Sequence, residues 1–378
     1  WLSLTAAALL AGCQMAPPDS RPALPTAPIY PHDTTTGGTR AADVDWRHFL
    51  VDPQLRDLVA RALEHNRDLA VSVARIEEAR GQYRIQDSER LPQLGATAEA
   101  ARSRTPGALT GVPGAGAVTA DRYTVSVGVT SFELDFWGRL RNLSDAARGG
   151  YLATVHAQRA FRLSLLRDVA STYFALCEAG ERIALADATV RSRRDGLRIA
   201  KRRLDAGVTS ALDFRQAESL LTQAETERAA LRLAQAQSEN YLAVLTGGPL
   251  PAPLAPALPL ASQQSATALS AGLPSELLVR RPDILAAEER LRAARANVGA
   301  ARAAFFPAIS LTGNFGYASN DLDNLVGKDG LSWSFGPSLS LPIFDWGGRE
   351  GNLTVAKARE NIAVATYERT VQGAFREV

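Results

Sequence analysis

The chain has 378 residues, enough for about two or three ordinary domains. Its 42 lysine and arginine residues against 40 aspartate and glutamate residues give a net charge of +2, so the charge balance does not point to a nucleic-acid partner. Aromatic residues make up only 7% of the chain and alanine is abundant, which favours long, closely packed helices over a large mixed core.

The N-terminal segment has the pattern of a lipoprotein signal. An apolar run from Leu2 to Gly12 is too short to span a bilayer as a helix, and Cys13 follows it directly. The letters LAGC at its end resemble a bacterial lipobox, which predicts a signal-peptide remnant over residues 1–12 and a covalent lipid such as palmitate on Cys13. Gln14 at the next position favours sorting to the outer membrane. A chance cysteine after an ordinary signal peptide is the alternative.

The stretch after the cysteine predicts an anchor rather than a folded domain. Residues 13–45 are interpreted as the lipid anchor and an extended tether, because they are rich in proline, threonine and aspartate. The chain begins at Trp1 without a methionine and stops at Val378 within a helical pattern, so we expect truncation at both ends. Cys177 is expected to be a small buried thiol, and with Cys13 lipidated no intrachain disulfide can form.

Residues 46–248 are predicted to form a first structural repeat. Pro53 to Arg90 has apolar residues at helical spacing, and Pro92 ends the helix because proline lacks the amide donor. Leu94 to Arg104 is a weaker strand candidate. A glycine- and proline-rich loop over residues 105–120 then leads to a second strand.

The second strand alternates strictly between two kinds of side chain. One face carries Tyr123, Val125, Val127 and Val129, and the other carries Thr124, Ser126, Gly128 and Thr130. A period of two with an apolar face and a small polar face indicates a strand between two different environments. We predict that the four apolar side chains face lipid.

A very long helix is predicted after this strand. From Arg139 to Leu204 the composition is helical, which corresponds to about 100 Å at 1.5 Å per residue. Apolar residues recur at an unbroken spacing of seven, at Val169, Leu176, Ile183, Val190, Leu197 and Leu204. This heptad predicts coiled-coil packing against other helices.

A tight turn is predicted to reverse the chain after the long helix. Gly207 is a natural C-cap, and Ser210 is a plausible N-cap for a helix that returns to about Leu245. The tip of the resulting hairpin comprises Gly207, Val208, Thr209, Ser210, Ala211, Leu212 and Asp213.

The same cycle starts again after a proline-rich linker over residues 249–272. Residues 215 positions apart match, among them Asp68 with Asp283, Pro92 with Pro307, and Leu94 with Ile309. Residues 273–378 are therefore predicted to be a second repeat, truncated before its last helical hairpin. Its two strands alternate more cleanly, and their predicted lipid-facing residues are Leu311, Phe315, Tyr317, Leu331, Trp333 and Phe335.

Four strands of this kind cannot close a barrel within one chain. An open sheet edge in hydrocarbon leaves backbone groups unpaired, at a cost of several kcal/mol each. The edges must therefore pair with other copies of the chain, and the small polar face fits a water-filled lumen better than a packed one.

Several segments, taken in order, carry a specific resemblance. They are LAGC, ALEHNRDLAVSVARIEEAR, FELDFWGRLR, GLPSELLVRRPDILAAEERLRAARANVGAARAAFFPAISL and PIFDWGGR. This set resembles the outer-membrane efflux protein family (TolC-like), and within it the lipoprotein branch typified by OprM and NodT. The resemblance covers essentially the whole chain and is most specific from Leu273 to Ile309. It implies a mainly α fold with membrane β: long α-helical hairpins of a periplasmic α-barrel, plus four transmembrane β-strands per chain that contribute to a trimeric, twelve-stranded β-barrel.

The resemblance also implies a function. It implies the outer-membrane channel subunit of a tripartite, RND-type efflux system, a passive exit duct for small molecules and drugs that contributes to antibiotic resistance. The implied location is the outer membrane of a Gram-negative bacterium, with the chain lipid-anchored and extending into the periplasm. The implied partners are a homotrimer, a periplasmic adaptor (membrane fusion) protein that meets the hairpin tip, an inner-membrane pump and outer-membrane lipid. A type I-like protein secretion duct, or a periplasmic coiled-coil adaptor lipoprotein without a pore, is the alternative.

An enzymatic function finds no support in the sequence. The four histidines are scattered without metal-ligand spacing, and no phosphate-binding loop or nucleophile elbow is present. We therefore predict no catalytic site, no cofactor apart from the lipid, and no metal. The carboxylate pairs Glu77-Glu78 and Glu288-Glu289 are interpreted as solvated helix faces.

Two further features have open interpretations. A basic stripe comprises Arg191, Arg193, Arg194, Arg198, Lys201, Arg202 and Arg203. It is interpreted as a solvated face that complements the helix dipole, with an adaptor contact or a lumen-lining ring as alternatives. Trp137 and Trp346 belong either to interfacial aromatic belts or to packing at the seams, where Asp135 and Asp345 are expected to cap helices.

Overall fold

The computed structural model describes residues 15–23, 25–27, 30, 38–40, 43–109, 116–251, 257–263, 269–270 and 276–378. The predictions for the signal-peptide remnant and for Cys13 lie outside these residues. Two compact units share the chain. The first comprises the described residues before 26 together with 77–154 and 284–373, and the second comprises those in 26–76, 155–283 and 374–378. Each unit therefore draws on both sequence repeats.

Within the described ranges, eight α-helices and six strands follow one another. They are β1 (Thr39–Arg40), α1 (Trp46–Phe49), α2 (Pro53–His65), α3 (Arg67–Ser88), β2 (Leu94–Thr105), β3 (Val118–Leu134), α4 (Arg139–Asp205), α5 (Ala211–Leu245), β4 (Leu269–Ser270), α6 (Leu277–Arg280), α7 (Pro282–Ala303), β5 (Ala308–Ser319), β6 (Leu331–Ser340) and α8 (Gly348–Glu377). None of the helices in this part of the chain combines the length and the apolar content needed to cross a membrane.

The single helix predicted over residues 53–90 is in fact two helices, α2 and α3. Asn66 has φ −61° and ψ 127°, outside the helical region, and so it ends α2. Its side chain replaces the interrupted helix bonds: Oδ1 accepts from the amide of Leu69 at 2.8 Å, and Nδ2 donates to the carbonyl of Leu245 at 2.9 Å. The break therefore joins the start of α3 to the end of α5.

The prediction of one long helix from Arg139 is confirmed, since α4 runs for 67 residues without interruption. Gly149 lies within this helix. A Cβ atom at this position would lie 2.9 Å from the carbonyl oxygen of Glu289 in α7. The glycine therefore permits close packing of α4 on α7.

The heptad of α4 is buried along its middle and half-buried toward the tip. Val169 and Val190 are 0% and 1% exposed, whereas Leu197 and Leu204 are half-buried. The buried part packs into the core of the second unit, whose central members are Leu55, Leu58, Val59, Val169, Tyr173 and Leu242. Burial of this apolar surface is the main source of the stability of these helices.

The four predicted strands form one antiparallel sheet, and the structure gives their order as β2-β3-β5-β6. Strand β3 is longer than the predicted alternating run, and it contains a bulge. Val129 pairs with Gly313 and Phe132 pairs with Leu311, so β3 has one more residue than β5 between these two pairs. The extra residue brings Phe132 and Leu134 onto the same face as Val129.

The internal repeat is visible in the order and pairing of the elements. The succession α3-β2-β3-α4 is followed by α7-β5-β6-α8. Leu94 pairs with Val129 in the first hairpin, and Ile309 pairs with Leu339 in the second. The two hairpins therefore share a common register.

Candidate functional site

All ten side chains predicted to contact lipid lie on one face of the sheet. The register places Val127, Phe315 and Trp333 directly beside one another on β3, β5 and β6. The ten are Tyr123, Val125, Val127, Val129, Leu311, Phe315, Tyr317, Leu331, Trp333 and Phe335. Trp333 is 72% exposed and Phe315 is 59% exposed. A contiguous exposed band of large apolar side chains marks a surface that contacts lipid or another protein.

The opposite face of the sheet carries small polar side chains. The hydroxyls of Thr97 and Ser126 are 3.0 Å apart across β2 and β3, and Thr312 donates to the carbonyl of Gly336 at 3.0 Å. A concavity of about 340 Å³ on this face is lined by Thr97, Glu99, Arg122, Thr124, Ser126 and Asn314, among others. This face therefore offers hydrogen-bonding groups to water.

Charged pairs lie at both ends of the sheet. On the apolar face, Arg102 and Asp121 form an ion pair at 3.2 Å, two residue pairs beyond Tyr123. At the end that leads into α4, Arg139 donates two hydrogen bonds to Glu133, at 2.9 and 2.5 Å. The apolar band between these pairs has the height expected of a membrane strand of about 9–11 residues.

The hairpin tip is a rigid turn. The amide of Val208 donates to the carbonyl of Arg203, and the amide of Gly207 donates to Leu204, both at 2.9 Å, which is the Schellman pattern. Gly207 has φ +71°, the left-handed region that this pattern needs. The predicted C-cap is confirmed. Val208 is 72% exposed at the turn.

A single carboxylate organises the start of α5. Asp213 accepts hydrogen bonds from Thr209 Oγ1 at 2.7 Å and from Ser210 Oγ at 2.8 Å, and its own amide donates to Ser210 Oγ at 3.2 Å. These bonds, first from Thr209 and then from Ser210, lower the pKa of Asp213 below its usual value. Leu212, 66% exposed, joins Val208 as a second outward aliphatic side chain. The seven predicted tip residues thus comprise the turn from Gly207 to Ser210 and the first three residues of α5, Ala211 to Asp213.

The basic stripe of α4 is partly neutralised within the hairpin. Arg194 contacts Glu225 of α5 at 2.6 Å, and Arg198 contacts Asp195 at 2.8 Å. Exposed pairs of this kind contribute little stability. They do reduce the net positive charge of the stripe, which fits the solvated face better than an anion-attracting ring.

Residues 15–21 of the predicted tether are held against α7. Arg21 donates to Glu288 at 3.0 and 3.3 Å, Arg292 donates to Asp19 at 3.1 Å, and Arg302 donates to the carbonyl of Met15 at 3.0 Å. The N-terminal segment therefore runs antiparallel to α7.

The interpretation of Glu288 as part of a solvated face is wrong. Its side chain is buried, with the residue 5% exposed, and it pairs with both Arg21 and Arg292. A buried carboxylate requires such partners because desolvation of the charge is costly. No periodic signal in the sequence reports this contact, because Arg21 and Glu288 lie 267 positions apart.

The two seams between strand and helix differ. Asp135 accepts from the amide of Arg141 at 2.7 Å and Asp345 from the amide of Arg349 at 3.0 Å, so both expected caps are confirmed. Trp137 packs within the chain, where its ring stacks on Phe306 at 4.7 Å. Trp346 and Trp333 are exposed.

A cavity of about 410 Å³ lies beside Tyr173 in the second unit. The Tyr173 hydroxyl donates to Asp52 at 2.6 Å, and the amide of Leu258 donates to the same carboxylate at 3.1 Å. Burial, and then the bond to Asp52, raises the pKa of Tyr173, and burial also raises the pKa of the half-buried Cys177 thiol. These groups keep their protons at neutral pH and hold the linker segment in place. Among the described residues, no group of three or more His, Cys, Asp or Glu side chains is arranged to hold a metal ion.

Comparisons with known proteins agree with this arrangement. The model of the family "Outer membrane efflux protein" matches residues 58–248 and 273–378. Outer membrane protein OprJ of Pseudomonas aeruginosa is 43% identical over 377 residues, which covers 100% of this chain and 78% of that protein. The solvent efflux pump outer membrane protein SrpC of Pseudomonas putida is 41% identical, over 100% of this chain and 81% of its own.

Solved structures are similar as well. The open state of the MtrE outer membrane channel of Neisseria gonorrhoeae superposes with a TM-score of 0.84 at 39% identity, covering 97% of this chain and 80% of that one. A membrane protein from Pseudomonas aeruginosa gives a TM-score of 0.85 at 43% identity, over 97% of this chain and 82% of its own. The chain belongs to the outer membrane efflux protein family.

Proposed function

We propose that this chain is the outer-membrane channel subunit of a tripartite efflux system and provides a passive exit path for small molecules. One observation carries the proposal. A sheet with one apolar face, one polar face and two free edges continues directly into a long helical hairpin. Lipid on the apolar side and water on the polar side satisfy both faces of this sheet.

The free edges of the sheet require more than one copy of the chain. Strands β2 and β6 stand at the two ends of the sheet, and no other described strand pairs with their outer sides. Unpaired backbone groups cost several kcal/mol each in lipid, so the edges pair with further copies in a closed ring. Two copies would supply eight strands and three would supply twelve, and both numbers lie within the range of about 8 to 26 known for membrane barrels. The homotrimer is the assembly that the resemblance to this family implies, and it is the one proposed for this chain.

The hairpin tip is the surface for a periplasmic adaptor protein. Val208 and Leu212 project from a turn that the bonds of Asp213 hold rigid. Exposed aliphatic side chains on a preorganised turn favour protein contact, since little entropy is lost on binding. The adaptor connects the channel to an inner-membrane pump, which supplies the energy. The chain itself transports without chemistry.

The lipid on Cys13 is the second membrane attachment. Met15, two residues further on, is held by Arg302 at the end of α7. Strand β5 begins at Ala308, shortly after this helix. An acyl chain on Cys13 would therefore insert into the leaflet that the strands enter first. The acyl chain and the strands together anchor the protein more firmly than either alone.

The proposal is tested by the export phenotype of a deletion strain. Loss of the full-length protein should sensitise cells to small apolar drugs and solvents, and a plasmid copy should restore resistance. Purified protein in planar bilayers should form water-filled pores. Accumulation of an exported protein with unchanged drug sensitivity would instead identify a secretion duct. A detergent-free soluble monomer would contradict both.

A further inference from the structure

The first seam between strand and helix is closed by a contact inside the chain. Trp137, just after β3, stacks on Phe306 at 4.7 Å with 25° between the rings. Its Nε1 donates to the carbonyl of Pro307 at 2.8 Å. Phe306 and Pro307 lie just before β5, the neighbour of β3 in the sheet. The end of one strand is thus joined to the beginning of the next.

The second seam, between β6 and α8, carries large apolar side chains that are exposed. Ile343 is 90% exposed, Phe344 71% and Trp346 90%. The rings of Phe344 and Trp346 pack edge to face at 4.8 Å and form one outward cluster. Trp346 has φ +56°, a left-handed conformation that is unusual and strained for a bulky residue.

The seam that carries this cluster is held firmly. Asp345 accepts from the amides of Gly347 and Arg349 at 3.2 and 3.0 Å, and from Nε of Arg349 at 2.7 Å. Arg349 also donates to the carbonyl of Pro342 at 2.6 Å. The cluster is therefore presented on a fixed turn, as a preorganised contact surface requires.

The other free edge of the sheet begins with a matching apolar surface. Leu91, three residues before β2, is 68% exposed, and Leu94, the first residue of β2, is 76% exposed. In the sequence repeat, Leu91 and Pro92 correspond to Phe306 and Pro307, 215 positions later. Leu91 and Pro92, just before β2, therefore correspond to the two residues that contact Trp137.

We propose that residues 341–346 of one copy, the seam cluster, pack on residues 91–94 of a second copy, with β6 and β2 paired in a defined register. The inference rests on the proposed function, because it requires the free edges of two copies to meet. The internal contact between β3 and β5 is its template, since β6 corresponds to β3 and β2 corresponds to β5.

The register follows from the observed pairs. Leu94 faces Val129 in the first hairpin, and Ile309 faces Leu339 in the second. Positions in β3 and β6 therefore correspond at a spacing of 210, and positions in β2 and β5 at a spacing of 215.

These spacings predict which residues face each other between two copies. Leu134 of β3 is paired with Ile309 of β5 within the chain. The position 210 after Leu134 is Phe344 and the position 215 before Ile309 is Leu94, so Phe344 of one copy is expected opposite Leu94 of the other. Trp346 then stands beyond the strand pair. It occupies the place of Phe136, one position before that of Trp137.

Disulfide trapping tests the register in the full-length protein in its membrane. A chain with Cys177→Ala, Leu94→Cys and Phe344→Cys should form covalent dimers and larger rings under mild oxidation, because directly paired residues bring Cα atoms within about 5.5–6 Å. The matched control replaces Leu94→Cys by Ala101→Cys, seven positions along β2, about 23 Å away at 3.3 Å per residue. It should remain uncrosslinked, as should each single cysteine.

The outcomes separate this inference from the proposed function. An oligomer by native mass spectrometry in which neither pair crosslinks, or in which the shifted pair crosslinks equally, overturns the register and leaves the channel proposal intact. A monomeric preparation overturns both.

Tryptophan substitution tests the seam cluster separately. Trp346→Ala should lower the dissociation temperature of the oligomer, whereas Trp346→Phe should retain most of it. Phe315→Ala removes a 59% exposed ring from the apolar face on β5, an inner strand of the sheet, and it should leave dissociation unchanged. Equal effects of Trp346→Ala and Phe315→Ala would contradict a seam-specific contact.

Discussion

The helical core around Tyr173 and the four-stranded sheet differ in how far a single chain buries their side chains. In the core, Val169 and Leu242 are 0% exposed, and Asn66 satisfies the backbone where two helices meet. In the sheet, every residue of β2 is exposed. The core therefore gains its stability within one chain, while the sheet depends on lipid and on other copies. Folding and assembly are consequently open to separate perturbation.

The largest expected effect comes from opening the core. Leu242→Ala removes a fully buried side chain, which should lower the free energy of unfolding of the helices by about 2–5 kcal/mol. Leu233→Ala, at a 60% exposed site in the same helix, should change it by no more than about 0.5 kcal/mol. Thermal denaturation followed by circular dichroism in detergent measures both. Equal losses would contradict a core that is complete within the chain.

The next effect separates the two faces of the sheet. Val127→Lys places a charge on the apolar face and should disfavour membrane insertion by about 2–4 kcal/mol near the bilayer centre. The neighbouring Ser126→Lys places the same charge on the polar face, where insertion should remain normal. The fraction of protein folded into lipid vesicles reports the difference. If Ser126→Lys impaired insertion more than Val127→Lys, the assignment of the faces would be reversed.

A smaller effect concerns the hairpin tip, where Val208 and Leu212 are 72% and 66% exposed. Gly207→Ala forces a Cβ into the left-handed conformation and should destabilise the turn by about 1–2 kcal/mol. Gly196→Ala, inside α4 with open space around it, should instead stabilise the helix by about 0.5–1 kcal/mol. Opposite shifts in melting temperature are expected, and shifts of the same sign would argue against the Schellman turn.

The smallest effect is a pH dependence of the tip. Since hydrogen bonds from Thr209 and Ser210 lower the pKa of Asp213 in the folded state, the stability they give is complete above the ordinary carboxyl pKa of about 3.9. It is lost as the pH falls through the lower, folded pKa. Hydrogen exchange of residues 207–213 should speed up, after correction for intrinsic rates, between pH 5 and pH 2. Asp213→Asn should abolish this change, and a persistent change would assign it to another group.

Periodic features were predictable from the sequence. The alternation in β3, β5 and β6 identified the two faces of the sheet, because side-chain direction in a strand follows from position alone. The heptad from Val169 to Leu204 identified the buried side of α4 for the same reason. The capping roles of Gly207 and Ser210 are local and were equally accessible.

Features that depend on distant partners were not predictable in this way. The break at Asn66 is stabilised by the carbonyl of Leu245, and the burial of Glu288 depends on Arg21, more than 260 positions away. Helical periodicity continues across Asn66, so the pattern alone gives no boundary. A charged residue reads as solvated unless its partner is known.

The bulge between Val129 and Phe132 has a consequence for how this strand tolerates change. The bulge shifts the alternation of side chains between the two parts of β3. Val129 and the residues before it keep their apolar face, and Glu133 lies on the polar face, where it accepts a hydrogen bond from Arg139. A regular strand over the same residues would place Phe132 on the polar face and Glu133 on the apolar face. Deleting one residue of the bulge would therefore leave Phe132 opposite Leu311 and remove only the local irregularity.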